Sequence, residues 1–391
     1  MEKKVGIGTI GSGSICEIAH FPAIKMVPEA QLIATMDVKE KFARNAAEKW
    51  GAKAWYTDYK KLLQRDDIDL VIVASPPRYH HEQAIAAVEA GKHVICEKPM
   101  AGTNKEGWEM VEAAKKQNKK LMIGCNQRFW LQNEWAKQLI EKDLIGTPRM
   151  GYSELHEHWR LYQDQVAMTP FRYDPKEAGA GALWDVGAHR IDLLVWLMGT
   201  FDKNPVKKVV GLAKNQASGE LTKCDDTAAV LMELANGAVA YVASARLTPI
   251  VSQITEIDGD KGILFTSSES FNPFQTVPLA VYSMNDYTSD TLPEPLKSWR
   301  YPTLFWPEDI IAKPMQKKWM TVSPPREWSY GRMVKHFIEC IYQNKTPLVK
   351  GEDGARVLEV QCAIFKSMET GAWVNLPLKE EVFPPGYAKS K

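Results

Sequence analysis

Neither a long apolar run nor an excess of one charge marks this chain. No stretch of about 18 apolar residues occurs, so no membrane-spanning helix is expected. The N-terminus enters a strand-like run at Val5-Gly6-Ile7-Gly8 and carries no signal-peptide core. The 49 Lys and Arg against 48 Asp and Glu leave a formal net charge of +1. That balance gives no nucleic-acid footprint and no polybasic membrane patch. The six cysteines (Cys16, Cys96, Cys125, Cys224, Cys340, Cys362) stand apart, none in a CxxC pair or at metal-finger spacing. They read as small buried apolar residues in a reducing, cytoplasmic setting. Internal repeats and low-complexity tracts are also missing.

What is present is ordinary globular usage over a length that suggests two domains or more. The chain has 391 residues, 45% hydrophobic and 25% charged. Residues 1–125 alternate strand and helix. Lys4–Ile10 is a β-rich run ending in Gly11-Ser12-Gly13, and a helix is expected over Ile15–Met26. Gln31–Met36 is a strand stopped by Asp37, followed by an amphipathic helix Lys39–Trp50. Leu70–Ala74 is continuously apolar, as in a strand buried on both faces. Helix Tyr79–Ala90, strand His93–Cys96, helix Lys105–Asn118 and strand Leu121–Gly124 complete the series. Such alternation predicts an α/β chain whose first domain, residues 1–125, is a doubly wound parallel sheet.

Residues 126–391 change style. Arg149–His158 alternates like an antiparallel strand, and Gly181–Met198 reads as a helix. Thr227–Leu234 and Ala238–Leu247 flank Asn236-Gly237, a hairpin signal. Ser252–Asp258 and Gly262–Thr266 form a second strand pair. Together these predict a mostly antiparallel sheet with helices, an α+β domain. Residues 271–325 are rich in Pro, Trp and Tyr and weakly periodic, as in an ordered excursion over a site or interface. Glu327–Tyr342 and Glu352–Thr370 read as closing helices.

Three motifs carry chemistry. Gly11-Ser12-Gly13-Ser14-Ile15-Cys16 follows a strand and opens a helix. The first glycine permits the tight turn, and the second lets backbone approach a pyrophosphate at the helix N-terminus. Asp37 stands 24 residues after Gly13, where a carboxylate accepts ribose hydroxyls and repels a 2′-phosphate. That points to NAD, while nearby Lys39 keeps NADP open. Ser75-Pro76-Pro77 follows a buried strand at the sheet edge where ligands collect. His80 lies near it, as a cofactor neighbour or simply a helix-start histidine. In Cys96-Glu97-Lys98-Pro99 the lysine precedes a proline, so its backbone is biased to extended geometry. Its amine can project over a nicotinamide or into solvent, and spacing alone does not choose. Asp185 and His189 lie at i and i+4 on one helix face, with Asp192 a further three residues along. An acid beside an imidazole suits proton transfer, although the same pair also occurs as a solvated helix face. His156-Glu157-His158 and His80-His81 cluster imidazoles, but nothing completes a metal pattern. No metal is expected.

These segments together resemble the Gfo/Idh/MocA family over nearly the whole chain. The resemblance runs through Val5–Gly13, Ala90–Pro99, Gly124–Phe129, Gly179–His189, Asp192-Leu193 and Trp196–Gly199. It implies an N-terminal Rossmann domain and a C-terminal domain with a large open, mostly antiparallel sheet. That sheet often forms a homodimer or homotetramer interface. It further implies Lys98 as the catalytic lysine, with Asp185 and His189 lining the substrate and Glu97 orienting Lys98 and the cofactor. Asn126 and Arg128 match the domain-junction motif and are expected to border the site, and Arg172 to touch cofactor or substrate. Cys16 departs from the usual Gly or Ala, and Phe171 stands where a Trp is common. The expected activity is hydride transfer between NAD and a secondary alcohol or ketone of a sugar, sugar derivative or cyclic polyol. An NAD-dependent glycosidase working through transient oxidation, a cofactor-sensing regulator and a dehydrogenase of cyclic diols are the alternatives.

Overall fold

The computed structural model describes residues 4–157, 170–216, 222–246, 248, 251–268, 277–287, 292–296 and 319–387. Six strands form the first sheet: β1 (Val5–Ile10), β2 (Ala30–Met36), β3 (Ala54–Tyr56), β4 (Leu70–Val73), β5 (His93–Cys96) and β6 (Leu121–Ile123). Their order is β3-β2-β1-β4-β5-β6, and every pairing is parallel. β4 is buried on both faces, as its unbroken apolar run requires. The chain leaves β1 in one direction for β2 and β3, then crosses back to β4 on the other side. A crevice therefore opens beyond the C-terminal ends of β1 and β4, where such sheets bind ligands.

The helix expected over Ile15–Met26 is interrupted. Cys16–His20 is a single π turn, with the Phe21 amide reaching back to the Cys16 carbonyl, before an α-helix runs from Phe21 to Met26. Pro22 has no amide hydrogen to continue the regular ladder. β6, at the sheet's outer edge, is covered from far along the chain. The Ile123 amide donates to the Val349 carbonyl at 3.1 Å, and Met122 bridges to Lys350.

Nine strands form the second sheet: β7 (Pro148–His156), β8 (Val206–Lys214), β9 (Thr227–Leu234), β10 (Val239–Ala245), β11 (Ser252–Gly259), β12 (Gly262–Ser267), β13 (Leu279–Ser283), β14 (Trp319–Val322) and β15 (Val374–Asn375). The order is β14-β13-β12-β11-β7-β10-β9-β8-β15. The β9–β10 hairpin turns through Gly237 at φ +82°, as Asn236-Gly237 suggests. The sheet is mostly antiparallel, as expected, with one exception: β7 pairs antiparallel with β11 but parallel with β10. Alternation in one strand reports its faces, not the direction of a neighbour reached only after a crossover. Residues 271–325 also hold more regular structure than their weak periodicity suggests, because β13 and β14 lie within them. The rest of that stretch falls largely outside the described residues.

One face of this sheet packs against the helices Ala182–Leu197 and Gly351–Thr370. The other presents apolar side chains in register across strands, Val210, Leu231, Tyr241 and Tyr152. Tyr152 and Tyr241 stack with centroids 4.5 Å apart. No helix among the described residues is long and apolar enough to cross a membrane.

Candidate active site

The crevice beyond β1 and β4 is a cleft of about 950 Å³. Gly11 forms its floor at φ +94°. A β-carbon there would lie 2.6 Å from the Ala74 carbonyl oxygen, so glycine is required for both the turn and the close approach to β4. Gly13 has open space where a side chain would stand, which leaves its backbone accessible to a pyrophosphate. Gly11, Gly13, Ser14, Ile15, Asp37, Ser75 and Pro76 all line the cleft. Ser12 is buried instead. Its hydroxyl donates to the Met36 carbonyl at 3.1 Å, and its amide to Asp37 Oδ2 at 3.0 Å, drawing that carboxylate toward the turn. Cys16 fits where a smaller residue is usual, with its thiol donating to the Gly11 carbonyl at 3.1 Å. These groups fit a dinucleotide: an open glycine turn on a helix start, and an acid at the end of β2 for ribose hydroxyls. Replacing Asp37 by Ser is expected to cut the preference for NAD over NADP about tenfold, or ~1.4 kcal/mol, read from the ratio of dissociation constants.

Lys98 leaves the end of β5 at a cis peptide to Pro99 and lines the same cleft with Glu97. Its ammonium donates to Asp185 Oδ1. Asp185 sits in the first turn of the helix Ala182–Leu197. That start is fixed by Asp225, whose carboxylate accepts the Gly181 and Leu183 amides, each at 2.7 Å. Two guanidiniums reach Asp185 as well: Arg172 at 2.9 Å, and Arg246, which donates to Oδ2. Burial alone would raise the Asp185 pKa, but Arg172, Lys98 and Arg246 hold it well below the usual carboxylate range. Asp185 is therefore a fixed anion. His189, one turn on, opens onto the cleft. Burial and the Lys98 ammonium push its pKa well below the usual imidazole value, so the ring is neutral. The Asp185 charge works the other way, raising the His189 pKa, but burial and the Lys98 ammonium outweigh it. Lys98, Arg172 and Arg246 take up the carboxylate, and Nδ1 of His189 faces no hydrogen-bond partner among the described residues.

The sequence matches the oxidoreductase family's NAD-binding Rossmann-fold profile over residues 5–125 and its C-terminal alpha/beta-domain profile over residues 137–376. The chain belongs to the Gfo/Idh/MocA oxidoreductase family. It is 28% identical over 373 residues to myo-inositol 2-dehydrogenase of Thermotoga maritima, covering 95% of this chain and 98% of that protein. It is 30% identical over 273 residues to levoglucosan dehydrogenase of Pseudarthrobacter phenanthrenivorans, covering 62% of this chain and 68% of that one. A solved structure of levoglucosan dehydrogenase in complex with NADH and levoglucosan superposes with a TM-score of 0.76 at 25% identity, covering 96% of this chain and 100% of that chain. This Gfo/Idh/MocA member is an NAD-dependent dehydrogenase acting on CH–OH groups.

In this Gfo/Idh/MocA oxidoreductase, three expected site residues besides Ser12 do not face the cleft. His80 is buried, with Nδ1 2.9 Å from the Pro99 carbonyl and Nε2 2.7 Å from that of Ser75. It ties two cleft loops together from behind. Asn126 turns its amide to Ser329 Oγ at 3.2 Å. Arg128 is 2% exposed and fully engaged. Its Nε and Nη2 donate to Asp192 at 2.9 and 2.5 Å, and its Nη1 to Asp353 at 2.9 Å and to the Leu348 carbonyl at 3.0 Å. A guanidinium held this way cannot also bind substrate, so Arg128 is a junction strut. Conversely, Arg246, Glu157 and Tyr330 line the cleft without a motif to announce them. Glu157 and Arg246 meet, 3.5 Å apart, because β7 and β10 run parallel and end together. Of the clustered histidines, His81 pairs with Glu109 at 2.8 Å and His156 lies 3.8 Å from Glu154. His158 is outside the described residues.

Proposed function

We propose that this enzyme transfers hydride between NAD and a secondary alcohol or ketone of a sugar, sugar derivative or cyclic polyol. The observation that carries the reading is the Lys98–Asp185 contact, with His189 one turn along, in a cleft shared with the glycine turn. The curated names of relatives support the substrate class: inositol, levoglucosan and glucoside dehydrogenases. Bound NAD supplies the hydride acceptor or donor. Everything else falls to side chains. Neutral His189 accepts the hydroxyl proton in oxidation, and Lys98 donates a hydrogen bond to the substrate oxygen. Asp185, clamped by cations, orients Lys98 and is no proton acceptor.

One sign follows for pH. Protonating His189 removes the base. Because its pKa lies below the ordinary value of about 6.5, the fall of kcat/KM on acidification is expected below that value, read from initial rates against pH. Substrate class is tested by adding NAD with sugars, inositols and glycosides and following NADH. NADH formed with one polyhydroxylated class is the expected result. Glycoside cleaved without net NADH, or no reaction with any class, would overturn it.

We also propose a homodimer or homotetramer through the outer face of the second sheet. Leu212 is 56% and Tyr241 42% exposed there, an apolar area unusual for a free surface. Tyr241→Glu is expected to reduce the assembly to a smaller species in light scattering. All six cysteines are buried and free, which supports a reducing, cytoplasmic setting.

A further inference from the structure

A second ionisable pair lies behind the catalytic lysine. His20, the last residue of the π turn, is fully buried. Its Nε2 lies 2.8 Å from Glu97 Oε1, while Nδ1 meets no acceptor among the described residues. The proton on Nε2 is therefore the one that serves the carboxylate. Glu97 Oε2 accepts the backbone amide of Lys98 at 3.2 Å. A third side is bare backbone: a β-carbon on Gly124 would stand 3.0 Å from Glu97 Cδ and Oε1. Tyr330, which lines the cleft, meets the His20 ring edge-on at 5.4 Å. Burial opposes charge on Glu97, yet His20 and Lys98 bring its pKa below the ordinary carboxylate value.

We propose that His20 is a positioning residue that sets the aim of Lys98 through Glu97. The inference rests on the role given to Lys98 above. The path is short and covalent at its end: imidazole to carboxylate, carboxylate to the Lys98 amide, and from that backbone to the ammonium on Asp185. It begins on the helix that follows the glycine turn, so the segment that holds the cofactor also braces the lysine. Without the imidazole, Glu97 loses one of two fixed hydrogen bonds and can rotate. The Lys98 backbone then loses its acceptor geometry.

The test compares His20→Ala, His20→Leu and His20→Gln with the wild type, at a temperature where circular dichroism shows every protein folded. His20→Ala is expected to lower kcat about a hundredfold, the cost of a roughly 1 Å misplacement. The sugar KM and the NADH dissociation constant should each stay within about threefold. In His20→Gln the side-chain amide nitrogen stands where Nε2 stood, so most of kcat should return. His20→Leu fills the space without the donor and should not recover it. Equal recovery by Leu and Gln would make His20 a space-filler and overturn the proposal, as would wild-type kcat in His20→Ala. Should the His20 variants fail to fold, Gly124→Ala presses on the same carboxylate without removing a polar group. A kcat unchanged there would also overturn the proposal. A wild type that oxidises no sugar counts against the function itself, and the proposal falls with it. That outcome is distinct from an active enzyme indifferent to His20.

Discussion

Replacing Lys98 by Met is expected to lower kcat about a thousandfold, in the range of a lost hydrogen-bond donor to the reacting oxygen, while NAD binding holds within a few-fold. The reason lies in what remains. Methionine keeps the length and the apolar stem of lysine but donates no hydrogen bond. Asp185 stays compensated, because Arg172 and Arg246 still flank it, so no buried carboxylate is stranded and the helix start is undisturbed. The glycine turn and Asp37 are held to each other through the Ser12 amide and the Asp37 carboxylate, independently of the Lys98 side chain. Steady-state kinetics alongside fluorescence titration with NADH separate the two effects. Turnover near the wild-type rate would remove Lys98 from the chemistry.

Replacing Arg128 by Met should leave the chemistry intact and damage the fold. The substitution strands Asp192, which is 0% exposed, and Asp353, which is 6% exposed. Burial already raises the pKa of both carboxyls, and Arg128 opposes that rise. Breaking a buried pair by removing one partner costs about 3–5 kcal/mol, which for domains of this size lowers Tm by about 10 °C. Arg128→Lys should not rescue it, since one ammonium cannot copy the fork that grips both oxygens of Asp192 while reaching Asp353. Calorimetry reads the loss. The sugar KM, measured below the melting range, should hold, which distinguishes a strut from a substrate ligand.

The contrast between these residues shows what a sequence can carry. The Rossmann domain was legible where its elements carry their own local signal: β4 as an unbroken apolar run, Gly11 and Gly13 as a turn no other residue makes. β3, three residues long, has too little length for any pattern. Lys98, Asp185 and His189 stood out in the sequence because they sit in short motifs, and the cleft brings all three together. Arg128 was misread because its motif marks position along the chain, not the direction of a guanidinium. Arg246 and Glu157 were invisible for a different reason. Each ends an ordinary strand, and they meet only because two strands distant in sequence run parallel. His20 looked like any residue near a helix start, since the carboxylate it serves is 77 residues away.

The cover over β6 bears on how far the two halves are separable. The Val349 carbonyl and Lys350 occupy that strand's free side, and a β-carbon at Gly354 would stand 2.4 Å from Ile123. Cut after residue 125, the cofactor-binding half would keep its strand order but expose a bare edge, with Leu121, Met122 and Ile123 beside it. Such an edge invites strand-to-strand aggregation. A cofactor domain transplanted between relatives would therefore have to bring this distant strap with it, or find another way to cap the last strand.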